Sequence, residues 1–237
     1  MVSGTYTANK NKVIINDNSH RFEYEVLPEY HCQKCSFPDT DEDHCPWHSD
    51  DVMDKTLAIG IYYPLRNQRH SSSNLSNDIY EFKSNMSIGK RLGILTSIAI
   101  NQIYTELQKF NYLVPVPRTE EELKVDHSSQ KKFNPQLMLA TEASLITRIK
   151  MIEVLTKIKP VSQHGRTRDQ RKEVLNNAEQ YFEVKNNSLG TGDSVILIDD
   201  VRTSGYTASA CAKVLKAAGA GNVYLLVLGR DVGNGLP

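Results

Sequence analysis

Ser194–Ala218 reads SVILIDDVRTSGYTASACAKVLKAA. Val195 to Ile198 form an uninterrupted apolar run of strand length, and the stretch closes with helical apolar spacing, so a buried strand, a short turn and an amphipathic helix follow one another. Between strand and helix stand Asp199 and Asp200, then Thr203, Ser204, Gly205 and Thr207. Small hydroxyl residues and a glycine at a helix start aim backbone N–H groups and hydroxyls at one spot, where the helix dipole adds partial positive charge. A phosphate fits there. Carboxylates at the carboxyl end of a parallel strand face the same crevice and can accept from sugar hydroxyls or hold a hydrated Mg²⁺. An acidic pair after a strand also occurs in receiver domains and Walker B segments, so the weight lies on the whole string.

The string VILIDDVRTSGYT closely resembles the phosphoribosyl pyrophosphate (PRPP) loop of type I phosphoribosyltransferases. The resemblance implies that Asp199 and Asp200 bind the ribose 2′ and 3′ hydroxyls. It implies PRPP binding along Val201, Arg202, Thr203, Ser204, Gly205, Tyr206 and Thr207, with the Thr/Ser/Gly turn on the 5′-phosphate. Tyr206 either stacks over the ribose or caps the site.

A chain of 237 residues is one ample domain or a domain with a small appendage. Its 28 Lys and Arg balance 28 Asp and Glu, so no global field argues for nucleic acid or an anionic membrane, and any anion site is local. No apolar run approaches the length of a membrane span, and MVSGTYTANKNK lacks the apolar core of a secretory signal, which makes a cytoplasmic location the expectation. Three of the four cysteines cluster with metal-like spacing and Cys211 lies on the apolar face of the last helix, unlike a disulfide framework.

Near the N-terminus, KVIIN and RFEYEV read as a hairpin around a turn at Asp17, Asn18 and Ser19. In HCQKCSFPDTDEDHCPWH, the pairs Cys32/Cys35 and Cys45/His48 are each spaced by two residues, as in a knuckle that turns both side chains to one ion. Three thiolates and one imidazole satisfy tetrahedral Zn²⁺, and the closed shell makes the role structural. His31 or His44 in place of His48, an iron–sulfur site, and a redox dithiol at Cys32 and Cys35 are alternatives. Asp39 to Asp43 is expected to be a solvated loop. Trp47, Tyr30 or Phe37 would stack on a ring or form the knuckle's miniature core.

Further along, TLAIGIYYPL reads as a strand and RNQRHSSSNLSND as a polar turn. A helix follows, with Ile88, Leu92, Leu95, Ala99, Ile103 and Leu107 on its core face and Lys83 just before it, as a phosphate contact or a surface lysine. NYLVPVPR is a strand stopped by prolines, with Arg118 at its carboxyl end, and TEEELKVDHSSQKK is expected to be exposed. Asn134 suits an N-cap and Pro135 the first helical position. Leu137, Ala140, Leu145 and Ile149 are expected core contacts of that helix, widened by Leu139 or Ile146. A short strand in MIEVLTKI precedes the basic stretch KIKPVSQHGRTRDQRK, whose middle is nearly free of apolar residues and reads as a mobile loop. Strands centred on Tyr181 to Val184 and at NVYLLVL complete a strand–helix–strand order that points to a parallel sheet.

The knuckle, YEFK, VPVP, KFNPQLMLA, the SQH stretch and VILIDDVRTSGYT, in that order, look like the ComF-type branch of the phosphoribosyltransferases. Phe133, Asn134, Gln163 and His164 match its Phe-Asn and Gln-His patterns. This implies an α/β protein with the type I phosphoribosyltransferase fold, a parallel twisted sheet flanked by helices. Residues 1–55 would form an N-terminal β-hairpin and zinc-knuckle hood, and 56–237 the phosphoribosyltransferase-like domain. The implied pyrophosphate ligands are Pro117, Arg118, Arg166, Arg168 and Arg171, and the implied catalytic residues Asp199, Asp200, Arg166 and Arg168. Implied cofactors are Mg²⁺ with PRPP and structural Zn²⁺ at Cys32, Cys35, Cys45 and His48. The activity implied is transfer of phosphoribosyl from PRPP to a nitrogen acceptor with release of pyrophosphate. The alternative is a non-catalytic PRPP sensor or a DNA-handling accessory, since ComF-type proteins are associated with DNA uptake in competent bacteria. The partners are then PRPP and an acceptor the sequence does not name, with a homodimer and a nucleic-acid-handling protein left open. Two features depart from the branch: His48 stands where many relatives have cysteine, and the segment after Arg118 is longer than usual.

Overall fold

The computed structural model describes residues 2–7, 11–17, 20–160, 168–185 and 189–233. Strands β1 (Val2–Thr7), β2 (Lys12–Asp17) and β3 (His20–Glu25) form an antiparallel sheet in that order, so the expected hairpin gains a third strand. The knuckle follows, then β4 (Lys55–Tyr62), α1 (Asn74–Phe82), α2 (Gly89–Ile98) and β5 (Tyr112–Pro115). Next come β6 (Lys124–Val125), β7 (Lys132–Phe133), α3 (Pro135–Thr147), β8 (Lys150–Met151) and β9 (Leu155–Lys157). The chain continues through α4 (Arg168–Asn176), α5 (Ala178–Tyr181), β10 (Phe182–Val184), β11 (Val195–Arg202), α6 (Tyr206–Ala217) and β12 (Val223–Asp231).

The central sheet has the order β4-β12-β11-β5-β8, and every neighbouring pair in it is parallel. Parallel sheets are buried on both faces, which is why β11 begins as an unbroken apolar run. Ile196, Ile198, Leu226 and Leu228 join the core under α1, α2, α3 and the N-terminal sheet, where Val13, Ile15 and Tyr24 also pack. Val195, Leu197, Leu225 and Val227 join the opposite core with Val174, Ala208, Cys211 and Leu215. The α/β expectation of a parallel sheet flanked by helices therefore holds, and β11 lies at its centre.

Several local expectations shift. The helix expected after the polar turn is broken into α1 and α2, and α1 begins inside that turn, where the Ser73 side chain accepts from Ser76 N–H. Lys83 is consequently a C-cap of α1. Asn134 caps α3 as read, accepting from the N–H groups of Gln136 and Leu137. Its buried face, however, is Leu139, Ala140 and Ala143, whereas Leu145 is 73% exposed. Close approach to α2 explains the rotation: a Cβ on Gly93 would lie 2.3 Å from the Cβ of Glu142, so small residues must face that seam.

The segment after Arg118, expected to be exposed, is so over most of its length, and within it β6 and β7 pair antiparallel. Asp126 between them is buried and accepts from Met86 N–H, both hydroxyls of Ser128 and Ser129, and Ser129 N–H. These bonds, led by Ser128, hold its carboxyl well below the usual carboxylate range. A charged stretch without apolar periodicity is here ordered by one buried side chain. The basic stretch likewise differs from a loop over its second half, which forms α4. Its start, Lys157, closes β9, and its middle, 161–167 with Gln163, His164 and Arg166, lies outside the described residues.

Candidate functional site

At the end of β11 the chain turns through Thr203, Ser204 and Gly205 into α6. Gly205 is the N-cap at φ 81°, a left-handed conformation that favours glycine. No side chain caps α6, so the positive end of its dipole faces the turn. Thr203 is exposed, and Ser204, Gly205 and Thr207 are half-buried around it.

The two carboxylates have different surroundings. Asp199 Oδ1 accepts from Gln136 Nε2 at 2.7 Å and from Asp200 N–H at 2.9 Å. Asp200 Oδ1 accepts from Val201 N–H at 2.8 Å, and its Oδ2 lies 3.9 Å from an Arg118 guanidinium nitrogen. Arg118 Nε in turn donates to Gln136 Oε1 at 2.6 Å, so Gln136 links the arginine to the acid pair. Burial and the charge of Asp200 raise the Asp199 pKa above the ordinary carboxyl value. Burial acts the same way on Asp200, but the Arg118 charge, the hydrogen bond with Asp199 and the Lys83 charge overcome it and lower its pKa. Two adjacent acids are thereby split into one readily protonated and one held as an anion.

Cations gather on the β5 side of this pair. Arg118 and Lys83 act on Asp200, and burial followed by the charges of Arg118 and Lys83 lowers the Lys124 pKa. Lys124 lies on β6, in the segment read from sequence as exposed. Mutual repulsion among three cations is relieved by a bound polyanion.

Two buried arginines hold the turn from beneath. Arg202 has a fully buried side chain that donates to both carboxylate oxygens of Asp51, at 2.8 and 2.7 Å, and to Thr56 Oγ1. The guanidinium is closed off from solvent beneath the turn. Arg230, its partner in register on β12, donates to the carbonyl oxygens of Arg202, Thr203 and Asp231 and lies over the Phe37 ring. Burial and the neighbouring Arg202 charge lower its pKa to about 10. Val201 packs against the first core, and Tyr206 is buried with its hydroxyl 3.1 Å from Asp50 Oδ2. Asp50 also pairs with Lys172 of α4 at 2.6 Å. Tyr206 is thus anchored toward the knuckle side by its hydroxyl.

In the knuckle, the ligand atoms of Cys32, Cys35, Cys45 and His48 all lie within 4.8 Å of one another. Cys32 Sγ is 3.3 Å from His48 Nδ1, and Cys35 Sγ is 3.5 Å from Cys45 Sγ. Tetrahedral zinc with bonds of about 2.0–2.3 Å places its ligand atoms roughly 3.3–3.8 Å apart, so the donor set fits that ion in chemistry and spacing. The other two histidines are engaged elsewhere: His31 Nδ1 lies 2.6 Å from the Pro28 carbonyl oxygen and His44 Nδ1 2.7 Å from Asp41.

No family model matches the chain, and no curated protein matches it. Among solved structures it is similar to adenine phosphoribosyltransferase from Leishmania tarentolae, with TM-score 0.39 and 13% identity over 68% of this chain and 89% of that one. The Saccharomyces cerevisiae adenine phosphoribosyltransferase gives TM-score 0.34 and 17% identity over 56% and 69%. The B. subtilis glutamine PRPP amidotransferase gives TM-score 0.37 and 13% identity over 92% of this chain and 36% of that one. Likenesses this distant add no weight of their own to the site geometry.

Arg118, Gln136, Asp199 and Asp200 are thus linked at the end of β11, and Thr203, Ser204, Gly205 and Thr207 follow in the turn into α6. Pro117 is buried beside Arg118. Arg168 and Arg171 belong to α4, and Arg166 is outside the described residues. Sequence reasoning missed Gln136, Lys124, Asp51 and Arg230. Only Gln136 carried a local signal, as the second residue of a well-capped helix whose N-terminus faces the acids.

Proposed function

We propose that this protein is a ComF-type phosphoribosyltransferase that binds PRPP with Mg²⁺ and transfers its phosphoribosyl group to a nitrogen acceptor. The observation that carries this is the end of β11, where an acid pair of split character leads into a glycine-capped helix start with a cation cluster alongside. Thr203, Ser204, Gly205 and Thr207 hold the 5′-phosphate at the α6 N-terminus. Asp199 and Asp200 accept from the ribose hydroxyls. Arg118, Lys83 and Lys124 hold the pyrophosphate, joined by Arg166, Arg168 and Arg171 from the basic stretch. Bound Mg²⁺, a hard cation suited to carboxylate and phosphate oxygens, would supply charge neutralisation at the leaving group and would be held by Asp200 together with the ligand's own oxygens.

In this reaction the acceptor nitrogen's lone pair forms the bond to ribose C1 as the C1–O bond breaks, its electron pair leaves on pyrophosphate, and the N–H proton passes to solvent. The chain stabilises the developing oxocarbenium charge with the acid pair and the departing charge with the cations. Residues 1–55 serve as the hood over the 56–237 domain, with zinc held by the knuckle in a structural role.

Calorimetric titration with PRPP in the presence and absence of Mg²⁺, beside the Asp200→Asn variant, tests the proposal. Binding that needs Mg²⁺ and is lost in the variant is the expected result, and binding indifferent to Asp200→Asn would sink it. Pyrophosphate release across a panel of bases and amines then separates transfer from a PRPP sensor, which would bind without release.

A further inference from the structure

The two arginines beneath the turn carry more positive charge than the carboxylate bonded to them can balance. Arg202 and Arg230 are 2% and 1% exposed, and the carboxylate held by the pair is Asp51, through both oxygens to Arg202. Arg230 donates only to carbonyl oxygens, those of Arg202, Thr203 and Asp231, among the described residues. The Nε–H groups of both arginines are buried there without an acceptor. Of the other acids at this wall, Asp50 is paired with Lys172, and the half-buried Asp231 side chain accepts from Gly233 N–H. One deeply buried cation is left over, which is a costly state unless an anion stands near it.

The knuckle is what stands near it. Phe37, two residues after Cys35, packs against the buried cysteines, and the Arg230 guanidinium lies 5.1 Å from the centre of its ring. The Cys35 charge raises the Arg230 pKa more than Asp231 or Asp51 does, against the larger lowering by burial. Both ligand pairs are also tied to the Arg202 end. Arg202 donates to Thr56 Oγ1 and, at 3.4 Å, to the carbonyl oxygen of Trp47, between Cys45 and His48. Thr56 N–H donates at 2.8 Å to the carbonyl oxygen of Lys34, between Cys32 and Cys35. The Ser36 hydroxyl completes the seam, donating to the Thr56 carbonyl oxygen at 2.9 Å and accepting from Ala58 N–H. The donor set supplies the missing sign, because three thiolates and a neutral imidazole around a divalent zinc leave one net negative charge.

We propose that Arg230 is the counter-cation of the metal-loaded Cys32, Cys35, Cys45 and His48 site, so that the main domain favours a knuckle carrying one net negative charge. Arg202 and Asp51 are a neutral pair that braces the turn, whereas Arg230 brings the uncompensated charge. In a buried setting such a charge acts on its neighbour far more strongly than at a surface, so Arg230 raises the affinity of the knuckle for its ion. The proposal rests on the zinc reading of the knuckle and does not depend on PRPP.

Zinc affinity of the full-length protein, measured by competition with a chromophoric chelator, tests this, with Co²⁺ absorption checking that the same three thiolates bind in each variant. Arg230→Met should weaken zinc binding roughly 10- to 100-fold, the range for outer partners of a metal site. Arg230→Lys keeps the charge without the planar fork and should stay within about fivefold of the parent. Arg202→Met combined with Asp51→Leu removes a neutral pair and should likewise stay within about fivefold. Zinc held as tightly by Arg230→Met as by the parent overturns the proposal. So does an Arg230→Lys variant as weak as Arg230→Met, because Arg230 would then act through shape alone. Where Arg230→Met does not fold, the other two variants decide: both near the parent supports the counter-cation, and a tenfold loss in either overturns it. A parent that binds no zinc overturns the knuckle reading together with this proposal.

Discussion

The knuckle and the β11–α6 turn are both short, irregular and poor in apolar residues, yet they are held in opposite ways. The knuckle brings four ligands within 4.8 Å, and its buried cluster is little more than its own cysteines with Phe37 against them. The turn is suspended between a strand and a helix that belong to the main cores, and it is pinned from below by Arg202 and Arg230. Those pins end on the knuckle side, at Asp51 and over Phe37. The β11–α6 turn is therefore braced against a small module whose four metal-type side chains cluster around one point.

Removing zinc should break this comparison most completely. Chelation of protein loaded to one zinc per chain is expected to lower Tm, shift Trp47 emission toward that of exposed tryptophan, and weaken PRPP binding roughly 5- to 150-fold, the usual span of coupling between sites. PRPP affinity unchanged in zinc-free protein would show the two regions to be independent.

Next in size is Arg202→Met, which strands the Asp51 carboxylate in a buried position and should cost about 3–5 kcal/mol. Chemical denaturation measures this, and the double variant with Asp51→Leu should recover most of it. A double variant no more stable than Arg202→Met would mean that the pair acts through more than its charges.

Gly205→Ala sharpens the comparison from the turn side. A side chain at φ 81° and a Cβ 3.0 Å from the locked Arg202 guanidinium should together cost about 1–2 kcal/mol. PRPP affinity should fall while zinc content stays at one per chain.

The smallest effect is a gain. Burial and Asp200 raise the Asp199 pKa, so the native state binds that proton more readily than the unfolded chain does. Its stabilising contribution is present below the unfolded carboxyl pKa and lost as pH rises through the folded value. Asp199→Asn should accordingly raise Tm by roughly 2–4 °C near neutral pH and by less in acid, at the expense of ligand binding. A parent Tm advantage at neutral pH would contradict the assigned direction.

Legibility followed sequence distance. The β11 strand, the Gly205 turn and α6 were readable because burial on both faces, a left-handed glycine and helical spacing all act within a few residues. The Asn134–Pro135 start of α3 was readable for the same reason. Asp126 was not, since its hydrogen bonds to Met86 and to its own turn make order where composition signals none. Nor were the pairs Gln136–Asp199 and Asp51–Arg202, whose members lie 63 and 151 residues apart. Leu145 and Ile146 were misjudged because helical spacing shows that a face exists and not how far the Gly93 seam rotates it.

The sequence alone determined an α/β chain with a central apolar strand, an acid pair beside a helix start, and four metal-type ligands in two x₂-spaced pairs. These rest on short-range physics. Tertiary structure brought His48 to the three cysteines, while His31 and His44 are engaged elsewhere. It also gave Asp199 and Asp200 different protonation behaviour and turned Arg202 inward as the support of the turn. Each of those outcomes depends on which groups meet across the fold and how deeply they are buried, and burial is what converts a modest surface contact into a strong electrostatic constraint.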